Sequence, residues 1–70
     1  MNNTQIGFSY RYSLVFCKKE DLPKTIKETE DGAREEAKKH YINPSIEFVS
    51  VQRISKESYF VVFKMIGRLF

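Results

Sequence analysis

From Phe8 to Cys17, large apolar residues alternate with small or charged ones. Phe8, Tyr10, Tyr12, Leu14 and Phe16 share one side; Ser9, Arg11, Ser13, Val15 and Cys17 share the other. A period of two marks a β-strand with one strongly apolar face. That face is expected to form the core beneath a covering helix. Lys18-Lys19-Glu20-Asp21-Leu22-Pro23 then breaks the pattern, and Pro23 has no N–H for a central ladder.

The period changes around Ala33–Tyr41. Ala33, Ala37 and Tyr41 fall one turn apart, giving a small-residue stripe that can approach a sheet closely. Glu30 with Arg34, and Glu35 with Lys39, stand four apart in the favourable order. Thr29 or Asp31 can cap the helix, and Lys38, Lys39 and His40 crowd its C-terminal turn, where cations are favoured. Asn43-Pro44 reads as the stop.

Residues 24–28 admit two readings. Leu22, Ile26, Thr29, Ala33, Ala37 and Tyr41 recur at helical spacing, which extends the helix back to Pro23. Against this, Gly32 would then lie mid-helix at a cost of about 1 kcal/mol, and Thr25 and Thr29 are poor helix formers. A short second strand, Lys24–Glu28, is the favoured expectation.

Ile46–Ile54 predicts a further strand. Ile46 and Phe48 point one way while Val49 and Val51 fall out of phase, as a bulge or burial on both sides would produce. Ser55-Lys56-Glu57-Ser58 reads as a hairpin connection. In the last strand, Tyr59–Ile66, one face carries Tyr59, Val61, Phe63 and Met65, and the other Phe60, Val62 and Ile66, interrupted by Lys64. A strand apolar on both sides is at least partly buried on both. Residues 1–6 and 67–70 are expected to be flexible ends. The prediction is one α+β domain: an antiparallel sheet of three or four strands with one helix on one face, in the order β-β-α-β-β, with βαββ as the alternative.

Seventy residues bury only about 60% of the surface of the unfolded chain. Cys17 is the single cysteine, so there is no internal disulfide. One cysteine and one histidine are too few for a structural zinc site, and no cofactor is expected. No apolar run approaches the roughly 20 residues of a spanning helix, and Met1–Gln5 does not begin a signal peptide. The expectation is a cytoplasmic chain with a reduced thiol, and no membrane or metal partner. The net charge of +3 comes from closely alternating signs, as on an ordinary solvated surface.

Chemistry-bearing residues are sparse. His40 could be oriented by Glu36 one turn earlier, but no nucleophile accompanies it. Cys17 precedes Lys18 and Lys19, whose charge favours a thiolate, yet a partly buried filler beside a turn explains it as well. The expectation is therefore a non-enzymatic protein. A small domain seldom leaves a large apolar patch open. Val15, Phe60, Val62 and Ile66 are the candidate contacts for a homodimer or another protein, with Tyr59, Val61 and Phe63 as the other possible set. The alternative is nucleic-acid binding on the helix-free face, with Arg11, Arg53 and Lys64 at phosphates and Phe60 as a stacking ring. Ser58–Phe63 has the aromatic character of an RNA-binding segment without its glycines.

The Tyr10-Arg11-Tyr12-Ser13-Leu14-Val15-Phe16 strand, the acidic start to the Ala-containing helix at Glu30–Lys39, and the pair Phe48–Val51 and Phe60–Phe63 together resemble small α+β proteins of bacteriophages and prophages of Gram-positive bacteria. The resemblance implies a cytoplasmic, phage-borne accessory protein that binds host or phage proteins. It brings no site residues with it.

Overall fold

Three strands and one helix account for nearly all of residues 6–69, the part of the chain described by the computed structural model. Strand β1 spans Ile6–Phe16, helix α1 Leu22–Ala37, β2 Tyr41–Ser55 and β3 Ser58–Leu69. A single 3-10 turn, Lys19–Asp21, leads into the helix. The sheet order is β1-β3-β2, antiparallel throughout, so the last strand lies in the middle. The molecule is elongated, 52 × 16 × 14 Å.

The α+β architecture agrees with the sequence reading, and the order is βαββ. Lys24–Glu28, favoured as a strand, forms the first turns of α1. Pro23 suits the first turn of a helix, where its missing N–H is not needed. Thr29 donates its hydroxyl to the Thr25 carbonyl at 2.8 Å, so the threonines are accommodated within the helix. Gly32 does lie mid-helix, but the extension brings Ile26 against the core, which outweighs the glycine's cost of about 1 kcal/mol.

Ala33 and Ala37 are fully buried, and the small stripe lets α1 sit close over β2 and β3. Ala33 packs with Val61 and Phe63, joined by Val15, Ile26 and Ile46; Ala37 packs with Tyr41 and Met65. Tyr41, expected to extend the helix, is instead the buried first residue of β2. The helix ends at Ala37 through backbone N–H donations from Lys38, Lys39 and His40 to Arg34, Glu36 and Ala37. Asn43-Pro44 therefore lies inside β2, at the register shift between Ile42 and Ser45, with Asn43 at φ 50°.

Strand β2 carries three register shifts, at Ile42/Ser45, Phe48/Ser50 and Arg53/Ser55. The second agrees with the broken alternation read from the sequence. Val49 is the extra residue, and skipping it returns Val51 to the face of Ile46 and Phe48. Strand β3 runs on through Gly67 and Arg68 to Leu69, residues the sequence reading assigned to a tail. Gly67 is needed where it stands, since an added Cβ would lie 2.7 Å from that of Tyr41. Of the expected flexible segment 1–6, Ile6 instead opens β1, while residues 1–5, like Phe70, lie outside the described residues.

Candidate interaction face

Register decides what each strand shows to the helix. Val61, Phe63 and Met65 of β3 are buried beneath α1. Their cross-strand partners in β1 are Ser13, Arg11 and Ser9, and Val15 pairs with Tyr59. Residues directly opposite in an antiparallel pair share a face. The helix side of β1 is thus its polar side, and its apolar side faces away. Phe8, Tyr10, Tyr12, Leu14 and Phe16, expected in the core, are all exposed, Tyr12 at 61% and Phe16 at 70%. A one-residue change of register exchanges every side chain between faces, so periodicity defines the two sets without saying which is covered.

On the helix-free face, this row lies beside Phe60, Val62, Lys64 and Ile66 of β3. Phe8 meets Tyr10 edge-on, with centroids 5.8 Å apart. Tyr12 stacks on Phe60 at 5.8 Å and 17°. Lys64 places its ammonium 4.6 Å from the Phe8 ring centroid, a cation–π contact. Apart from Ile42 opposite Arg68, the β2 third of the face is polar, with Ser45, Glu47, Ser50 and Gln52 opposite Ile66, Lys64, Val62 and Phe60. The apolar stripe is therefore two strands wide, roughly 35 Å by 10 Å from ordinary strand dimensions.

Of the four expected contact residues, Phe60, Val62 and Ile66 lie on this face. Val15 does not; it packs beneath the helix. The three expected phosphate contacts are not brought together either. Lys64 is on the free face, while Arg11 and Arg53 belong to the helix side of the sheet. Arg53 donates to the carbonyls of Ser55 and Lys56 at 3.2 and 3.3 Å, which holds the β2–β3 turn. The residues missed are the β1 row. One available signal was Lys64, which interrupts the even-numbered set of β3 and marks that set as the open side.

The remaining candidates are isolated. His40 lies 3.6 Å from Glu36 on the helix surface, and Lys39 reaches the same carboxylate at 3.5 Å. The Lys39 ammonium, with the His40 imidazole beside it, holds the Glu36 carboxyl below its ordinary 4.5. Glu30 pairs with Arg34 as expected, whereas Lys38 meets Glu35 three residues away and leaves Lys39 to Glu36. Cys17 is half-buried, and its backbone N–H donates to Glu57. Among the described residues, no group of three or more His, Cys, Asp or Glu is placed to hold a metal ion, and no helix is long and apolar enough to cross a membrane. A surface hollow of about 270 Å³ at the start of α1 is lined by Lys19, Leu22, Val51, Arg53 and Tyr59.

The chain matches no protein-family model, no curated protein and no solved structure.

Proposed function

We propose that this protein is a non-enzymatic interaction module that self-associates through the helix-free face of its sheet. The observation that carries the reading is the unbroken exposed row from Phe8 to Phe16, backed by Phe60, Val62 and Ile66. Sheets pack face to face at about 10 Å, so two copies can interleave these rows as a sandwich. From the stripe's dimensions, such a contact covers about 350 Å² on each copy, or about 700 Å² in total, which is below the standard size of a specific interface. The association is accordingly weak and concentration-dependent. A phage-borne role, binding host or phage proteins in the cytoplasm, is part of the same proposal and rests on the resemblance of the strands and helix.

Sedimentation equilibrium across a concentration series tests it. The mass is expected to rise above that of the monomer with concentration, and Tyr12→Asp is expected to remain folded and to associate less. A constant monomer mass up to high concentration overturns the reading.

A second reading has one observation in its favour. The stacked Tyr12 and Phe60 rings, with Lys64 and Arg68 on the same face, form a platform of the kind that holds single-stranded nucleic acid. Titration with labelled single strands across a salt series decides it. Binding through phosphates loses affinity steeply with salt, and no binding at low salt removes this reading.

A further inference from the structure

The two outer strands of the sheet are finished in different ways. Strand β2 has three irregularities and Pro44 along its length, which are common devices for preventing an edge from pairing. Strand β1 has none of them. It pairs with β3 in unbroken register over all of Ile6–Phe16, with no proline, no lysine and no bulge. Eleven residues is long for a strand, and α1 lies over β2 and β3 rather than across this edge.

The hydrogen-bonding direction of the edge follows from one contact. Cys17 donates its N–H to Glu57 at 3.0 Å, in register with the Phe16–Ser58 pair. Backbone groups alternate sides along an antiparallel strand. The odd positions of β1 therefore turn toward β3. The N–H and C=O groups of Phe8, Tyr10, Tyr12, Leu14 and Phe16 turn outward, and among the described residues no strand pairs with them.

We infer that β1 pairs antiparallel with β1 of a second copy, joining two sheets into one of six strands. The inference rests on the self-association proposed above and assigns it a second, distinct contact. A strand pairing with itself about a two-fold axis is self-complementary, and an even-on-even register keeps both aromatic rows on one face. The register centred on Arg11 sets two guanidinium groups opposite each other, which is unfavourable. Registers centred on Tyr10 or Tyr12 avoid this. The first places Ser9, and the second Ser13, opposite the second copy's Arg11. Within one chain, the Nε of Arg11 is buried without a hydrogen-bond partner, and a serine hydroxyl from across the edge supplies an acceptor. The joined sheet doubles the apolar stripe into one platform, so edge pairing strengthens any face contact.

Amide hydrogen exchange, resolved by residue and measured from dilute to concentrated protein, tests the pairing directly. The outward amides of Phe8, Tyr10, Tyr12 and Leu14 are expected to slow by about tenfold or more as the dimer fills, while the odd positions are protected throughout. The double variant S9K/S13K places lysine opposite Arg11 in either register without touching the aromatic face. It is expected to weaken the edge dimer about fivefold or more. A dimer whose outward amides exchange as fast as in dilute protein overturns edge pairing and leaves the face contact standing. A chain that stays monomeric at all concentrations overturns both.

Discussion

Replacing Phe63 and Tyr12 separately by alanine asks which face of the sheet is the core. Phe63 is 0% exposed, lies between Val61 and Met65 under the helix, and meets the Phe48 ring edge-on at 6.0 Å. Emptying such a site costs about 3–5 kcal/mol. A chain of this length has a total stability of roughly 4–10 kcal/mol, so Phe63→Ala removes much of it. Tyr12 is 61% exposed. A fully buried aromatic ring covers roughly 150–250 Å². The covered two-fifths of Tyr12 is then about 60–100 Å², worth at most about 2 kcal/mol. At about 4–8 °C per kcal/mol, Tyr12→Ala lowers Tm by no more than about 15 °C, whereas Phe63→Ala leaves little cooperative transition. Urea denaturation followed by far-UV circular dichroism reads both. It is run at low protein concentration, so that self-association does not contribute, and repeated tenfold higher. If Tyr12→Ala costs as much as Phe63→Ala in dilute protein, the aromatic row is core and the assignment of faces is refuted.

The glycines provide an independent pair. Gly32→Ala meets nothing within 4 Å and is expected to stabilise the helix by about 0.5–1 kcal/mol in thermal denaturation, whereas a loss there contradicts an exposed mid-helix position. Gly67→Ala drives a methyl to 2.7 Å from the Tyr41 Cβ and 3.2 Å from the Pro44 backbone, and is expected to cost about 1–3 kcal/mol by the same measurement. Unchanged stability there contradicts the close approach of β2 and β3. Because Glu36 is held below 4.5 by Lys39 and His40, the folded chain keeps this carboxylate ionised to lower pH than the unfolded chain does. Its contribution is present above the unfolded value and fades as pH falls through the lowered one. Glu36→Gln is therefore expected to flatten the decline of Tm as pH falls through and below the ordinary 4.5, and a parallel decline contradicts the pairing.

Much of this arrangement is legible in the chain. The alternation at Phe8–Cys17, the phase break at Val49 and the double-sided Tyr59–Ile66 segment each predict a feature that is present. What escapes is decided between elements rather than within them. The side of β1 that meets the helix depends on its register with β3, which no local pattern records. The role of Lys24–Glu28 turns on whether Ile26 reaches the core, and a propensity scale cannot weigh that against Gly32. Tyr41 fits a helical stripe by spacing alone, yet Lys38–His40 close the helix before it. For the candidate face, three of the four expected contacts are on it, but its larger half is the β1 row that sequence reasoning placed inside.

Among the described strands, β3 comes third along the chain and touches both others. Until residues 58–69 have left the ribosome, β1 and β2 have nothing to pair with, and the helix has no sheet to rest on. Local helix aside, the sheet must wait for residues 58–69 and then close long loops, which favours slow and concentration-sensitive assembly. During that interval, nascent chains on one messenger carry their aromatic segments bare and close together. A cell making this protein therefore meets its stickiest form before its finished one.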